Sequence, residues 1–579
     1  MADEFEWEQG GVADMRGGRF DEIRAALSSL IIAIRSMSKE PGLGASGAGE
    51  VLLLYGRAQD YLWTLKTLCR AEQSQDARGV RGSEGAHEAA RLENQLDTAF
   101  LPVLKLLAGD ESLAEDSELG RWKRRLFEQK GCWASNPEGL ARLQRVLLPI
   151  KSMHAHLLNA MQLTVETGYG YPAKKTFSQA ISDLKTSGDA VLTTGLFFHM
   201  SGWCAERAPL FADILNAVYG WRCNESAPPL SPYETAIRRE RCDPESVGAM
   251  LQTLFERSQE LQALVARSCG VPEGEKTPVA RLFCQDAGAG AAVSAFCDYG
   301  RFFDYAKRTF GVLEPAFCEF LDQAISGHWI EARNTSGRAG GAWCDNLPSE
   351  KAMLIFLKKA QGPAALSQLM HLLGVGFMHW VLQGAESSLR RMPLSMTEVA
   401  GMLCETAVER MLAGASPAFS PAIRAQSMKR LVNMTLALPM RHRLAKKLLE
   451  ERERGVISVS RINELSREAW SESFGDSVDG CNQYVWAYKH HFYRTDVMFY
   501  DWQYTFGFLL SQLLFERFAK LPQGSVKPFL QDAARLSCEA LVERFLGFNI
   551  RKKDAWLLAV DSALSFAASP EASGAKEGA

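Results

Sequence analysis

Apolar residues recur at three- and four-residue spacing through most of this chain, and that period confines it to packed helices. In FDEIRAALSSLIIAIRSM (20–37), Ile23, Leu27, Leu30, Ile31 and Ile34 fall on one face. In AARLENQLDTAFLPVLKLL (89–107), Leu92, Leu96, Phe100, Leu101 and Leu104 do the same. ESVGAMLQTLFERSQELQALVARSCG (245–270) keeps the period up to a glycine suited to end a helix. The expectation is a mainly α protein. Strand patterns are few: HWIEAR (328–333) and AMLIFLKK (352–359), separated by the glycine-rich TSGRAGGAW (335–343), predict a small strand–loop–strand element. SKEPGLGASGAGE (38–50), AEQSQDARGVRGSEG (71–85) and NESAPPLSP (224–232) read as loops. No fixed-period repeat is present.

Charge and cysteine usage exclude several classes. The 579 residues carry 65 Lys and Arg against 68 Asp and Glu, a net charge of −3, so no global basic field exists for nucleic acid or anionic lipid. No apolar run reaches about 18 residues, so no membrane span is expected. The start MADEFEWEQGG is acidic and lacks the basic and apolar parts of a signal peptide. Thirteen cysteines show no C-x-x-C pair, which argues against a disulfide framework or a zinc knuckle. A cytoplasmic protein with cysteines as small core residues is expected.

The most informative stretch is LSQLMHLLGVGFMHWVLQGAESSLRRMPLSMTEVAGMLCETAVERML (366–412). A zinc peptidase needs H-E-x-x-H on a helix: two His at i and i+4 bind the metal, and the Glu between them activates its water. A Glu from a following helix completes three protein ligands. Here the register reads His371-Leu372-Leu373-Gly374-Val375. Further on, Glu398 and Glu405 are seven residues apart and share a helical face.

The segment resembles the thimet oligopeptidase and oligoendopeptidase F family of zinc metallopeptidases. In that family H-E-L-G-H-x-x-H is followed, after a short loop, by A-E-x-A-S-x-x-x-E. His371, Leu373, Gly374, Met378 and His379 match the first helix, and Glu398, Ala400 and Glu405 the second. EARNTSGRAGGAWCDNLP (331–348) resembles the family's glycine-rich hairpin, and RRERCDPESVGAMLQTLFE (238–256) its inter-helix linker. HHFYRTDVMFYDWQYTFGFLLSQLL (490–514) resembles its His-Tyr block, whose side chains donate to the substrate carbonyl; His491, Tyr493, Tyr500 and Tyr504 are the matching polar groups. The four blocks run in order from about residue 90 to 565.

The resemblance implies a large helical two-lobed body around an internal channel, with a small β element near the zinc helix. It divides the chain into an N-terminal helical region (1–190), a metallopeptidase-like helical domain (191–566) and a disordered tail (567–579). It also implies that His371 and Glu398 stand at two of three zinc-ligand positions. Leu372 then replaces the general base and Val375 the remaining ligand. A leucine accepts no proton and a valine binds no metal, so neither bound zinc nor ordinary peptidase activity is expected. His379 lies about 12 Å along the helix axis from His371, too far to share one ion.

Structural readings stand beside these. His371 alone reads as a hydrogen-bonded core histidine. Glu398 and Glu405 are candidates to pair with Arg390 or Arg391, and the aromatic residues of 490–504 to pack a cleft wall. HAH (154–156) has no companion ligands, and MRHRLAKKLLEERERG (440–455) reads as a solvated charged helix. Three functions remain open: an inactive peptidase-like protein binding short peptides in its channel, a working zinc endopeptidase of short peptides, and a helical scaffold without ligand.

Overall fold

A computed structural model describes residues 7, 18–40, 45–76, 80–109, 114, 117–130, 149–150, 152–166, 172–187, 189–224, 230–272, 274–283, 299–332, 341–357, 363–415, 419–495 and 497–568. The chain is mainly α, as the period predicts. It opens with helices α1 (Arg19–Met37), α2 (Ala45–Gln75), α3 (Arg81–Gly109) and α4 (Glu118–Lys130), the first three packed on one another. The predicted stripe of α1 is the one that is buried: Ile23, Leu27, Ile31 and Ile34. Two of the expected loops are shorter than their composition suggested, because α2 begins at Ala45 and runs to Gln75, and α3 already starts at Arg81.

The segment 245–270 is two helices rather than one. Pro244–Glu256 and Ser258–Ser268 meet at Arg257, whose guanidinium pairs with Glu260 and Asp561. A hairpin that periodicity missed joins β1 (Gln162–Glu166) to β2 (Pro172–Thr176) in antiparallel register.

The expected small β element is present but has three strands. In it β3 (Ile330–Glu331), β4 (Ala342–Leu347) and β5 (Ala352–Leu357) lie in the order β3-β5-β4. β5 pairs parallel with β3 and antiparallel with β4, and every one of its residues is buried. The intervening residues 333–340 lie outside the described set. One face of the sheet rests on α5 (Pro363–Val381), where Gly376 abuts Met353 and Ile355. The other face meets α2, whose Trp63 Nε1 donates to Asp345 Oδ1 at 2.6 Å and whose Ser74 Oγ accepts from Trp343 Nε1 at 3.0 Å.

The C-terminal half packs α6 (Leu394–Ala415) against α5 and against α9 (Trp502–Phe518). Between them in sequence come α7 (Ser420–Val432), a π-helical turn at Asn433–Ala437, and α8 (Leu438–Arg454). Far from being a solvated face, α8 buries Met440, Arg441, His442, Leu444, Leu448 and Leu449. The last helix, α10, spans Lys553–Ala568, so its final two residues fall in the segment expected as the tail; 569–579 lie outside the described residues.

The ten described cysteines are all free. No described helix is long and apolar enough to cross a membrane.

Candidate functional site

The site grows from the crossing of α5 and α6. Its two helices approach at Gly374 and Gly401. A Cβ on Gly374 would stand 2.5 Å from the Ala400 carbonyl oxygen, and one on Gly401 would stand 2.6 Å from the His371 ring. Only glycine permits that approach, and the space it leaves seats the imidazole. His371 Nε2 then lies 3.4 Å from Glu398 Oε2. That distance is long for a hydrogen bond, and Glu398 Oε2 is buried without a hydrogen-bond partner.

From Glu398 a polar row continues onto the C-terminal block. The Tyr504 hydroxyl lies near enough to the Glu398 carboxyl to favour its ionised form. Tyr504 and Tyr500 share a hydroxyl–hydroxyl hydrogen bond of 2.6 Å. The Tyr500 ring meets the His491 ring edge-on at 4.7 Å, and Arg494 lies over Tyr500 at 3.9 Å. His491 Nδ1 is 2.9 Å from Asp501 Oδ1, and Asp501 pairs with Arg441 at 2.9 Å. His371, Glu398, Tyr504, Tyr500 and His491, chosen from widely separated segments, are thus brought into one row.

Other candidates fall outside it. Tyr493 is buried, stacks on His154 at 3.7 Å and points its hydroxyl at the Phe211 carbonyl 3.4 Å away. His154 is therefore a core residue, with Nε2 2.9 Å from the Ala487 carbonyl. His379 packs edge-on against Trp63. Glu405 is indeed paired with an arginine, but with Arg430 at 2.5 Å rather than with Arg390 or Arg391. Arg430 also holds Glu409 at 2.8 Å, and Ser367 donates to Glu405 at 2.9 Å. Arg390 pairs instead with Asp60, and Arg391 lies over Trp63. Sequence reasoning missed Arg430, Arg441, Arg494 and Asp501. Asp501 sits between the two chosen tyrosines and was within reach; the arginines carry no local signal.

Leu372 and Val375 are both buried in the apolar core, 5% and 6% exposed. Burial also sets the charge state of the polar pair. It pushes the His371 imidazole down to about 4, with Arg430 adding to the effect. It pushes the Glu398 carboxyl up to about 8, with Glu405 adding and the nearby Tyr504 hydroxyl opposing. Near neutrality the imidazole is uncharged and the carboxyl mostly protonated. Burial also pushes the Tyr500 and Tyr504 hydroxyls up and the His491 imidazole down, the latter against the pull of Asp501. For Asp501 burial is outweighed by Arg441 and His491, which hold its carboxyl below the usual range.

The fold compares closely with solved peptidases. A Chlamydophila abortus protein assigned to the peptidases superposes with a TM-score of 0.73 at 12% identity, covering 98% of both chains. PZ peptidase A, solved with an inhibitor, gives 0.72 at 13%, covering 98% of this chain and 99% of that one. Oligoendopeptidase F of Enterococcus faecium gives 0.67 at 14%, covering 95% and 98%. The fold is that of the oligoendopeptidase F peptidases. No family model matches the sequence, and no curated protein aligns with it.

The zinc ion that the sequence resemblance implies does not fit the donors this oligoendopeptidase F fold presents here. Zinc takes three protein ligands and an open position. His371 and Glu398 supply two, and Val375, one helical turn from His371, supplies none. Glu405 is committed to Arg430 and Ser367. Among the described residues no group of three or more His, Cys, Asp or Glu is placed to hold a metal ion. What remains is a row of neutral imidazoles and phenols, suited to donating and accepting hydrogen bonds.

Proposed function

We propose that this chain is a catalytically silent protein on the oligoendopeptidase F fold, which binds short peptides in an internal channel instead of hydrolysing them. The observation that carries the reading is the apolar pair Leu372 and Val375, buried on the helix that presents His371. Loss of a general base alone removes a factor of roughly 10²–10⁴ in rate. Loss of a metal ligand removes the water activation on which that base would act.

In this reading Tyr500, Tyr504 and His491 bind peptide carbonyls and amides, and Glu398 and His371 form a vestigial end of the row. The helical region 1–190 and the following helical domain to 566 enclose the channel, and the protein works in the cytoplasm without nucleic acid or membrane.

The test measures metal content and turnover of a quenched peptide, with and without chelator, for the native chain and for Leu372→Glu/Val375→His. The native chain should carry no stoichiometric zinc and cleave nothing; the repaired chain should take up about one zinc and gain chelator-sensitive cleavage. Stoichiometric zinc or chelator-sensitive cleavage in the native protein overturns the reading in favour of a working zinc endopeptidase.

A further inference from the structure

The three strands near the site align one residue each into a row: Glu331 of β3 is in register with Phe356 of β5, and Phe356 with Trp343 of β4. Neighbouring in-register residues share a face. The Trp343 and Phe356 rings stack at 6.0 Å. Trp7, more than 320 residues away in sequence, lies across this row. Its indole contacts the Trp343 ring at 5.8 Å and the Phe356 ring at 6.0 Å. Its Nε1 donates to the Trp329 carbonyl at 3.0 Å, and its backbone N–H donates to Glu331 Oε2 at 3.3 Å. Trp7 is only 3% exposed.

These contacts have the form of peptide recognition. One backbone amide meets a carboxylate, one indole N–H meets a carbonyl, and one aromatic body is held between two rings. An indole combines a large apolar surface with a polar tip, so it suits a pocket with an apolar floor and one acceptor. Arg70 of α2 caps the pocket, lying over Trp343 at 4.6 Å.

We propose that Glu331, Phe356, Trp343 and the Trp329 carbonyl form a docking pocket for tryptophan-bearing peptide segments, and that Trp7 of the same chain fills it. This deepens the peptide-binding reading and rests on it: it names an aromatic anchor as the preferred peptide feature. The tethered residue competes with any segment supplied from outside. An intramolecular ligand acts at a high effective concentration, so outside segments bind the native chain weakly.

The experiment uses the full chain and a labelled peptide of residues 2–12, ADEFEWEQGGV. Fluorescence anisotropy measures its binding to the native protein and to Trp7→Ala. The variant should bind it at least tenfold more tightly than the native chain does. Replacing the peptide's tryptophan by alanine should abolish the gain. Equal binding to both chains, no binding to a Trp7→Ala protein that melts as the native one does, or indifference to the peptide's tryptophan overturns the proposal. If Trp7→Ala does not fold, Trp7→Phe takes its place: it keeps a ring but loses the N–H donor, and should bind the peptide at least threefold more tightly than the native chain, with no gain overturning the proposal. A peptide without aromatic residues, run in parallel, separates the two readings. If it binds native and variant chains alike while the tryptophan peptide shows no preference, the pocket fails and the channel reading stands.

Discussion

His371 Nε2 stands 3.4 Å from Glu398 Oε2, and the position one helical turn further, where a third ligand would be, is filled by Val375. In the proposed reading His371 and Glu398 are two donors of a metal centre that lacks its third. Val375→His alone should therefore convert the pair into a three-donor set, while Leu372→Glu alone should not. Isothermal titration with zinc checks this: tight, about one-to-one binding is expected for the first variant, and none for the second. Placing an imidazole at a site 6% exposed overpacks it by about 1–3 kcal/mol in the metal-free form.

Glu398 costs the fold stability at neutral pH. Its carboxyl is raised from 4.5 to about 8. A raised acid favours the folded state below its unfolded value, and that contribution is lost as pH climbs through the folded value. Glu398→Gln keeps the shape and never ionises. It should be more stable than the native chain by up to about 3 kcal/mol at pH 7, with the gain shrinking to about 1 kcal/mol or less at pH 5. Urea midpoints at the two values decide this. A midpoint that falls at pH 7 would mean that the ionised carboxylate is needed.

Histidines set the acid limit. His154, His371, His379 and His442 are all lowered from 6.5 to about 4 by burial. Each is neutral when folded and binds a proton more readily when unfolded, so stability is full above 6.5 and falls as pH drops toward 4. Each loses up to about 2 kcal/mol by pH 5. Circular dichroism should show acid unfolding inside that window, and His154→Phe, which keeps the stack on Tyr493, should move the transition to lower pH.

The Arg430 cluster tests how charge is held in the core. Its partners Glu405 and Glu409 have side chains 8% and 5% exposed. Arg430→Met strands two buried carboxylates and should destabilise by about 3–5 kcal/mol. Arg430→Met/Glu405→Gln/Glu409→Gln should recover most of that, as read from urea unfolding.

The helices were legible because burial on one side leaves a 3.6-residue trace, as Ile23, Leu27, Ile31 and Ile34 illustrate. The hairpin at 162–176 was missed, although QLTVE buries Leu163 and Val165 in strict alternation. Five residues are too few to stand out against a helical background. β4 left no pattern, because Asp345 and Asn346 sit in it; Trp63 of α2 donates to the Asp345 carboxylate and Thr67 of α2 to the Asn346 backbone carbonyl. Within the site, the identity of the row was readable from His371, Glu398, His491, Tyr500 and Tyr504. Its wiring was not, since Asp501 reaches Arg441 and Glu405 reaches Arg430 only through the tertiary fold.

The glycine contact between α5 and α6 has a consequence for the molecule's history and handling. Backbone rests directly on backbone at Gly374, so the distance between the two helices is set by van der Waals contact and needs no ion to bridge it. Chelators should leave the shape untouched. A scaffold braced in this manner can surrender its reactive groups one at a time while its interior contour persists, which leaves later substitutions a ready-made cradle to work on.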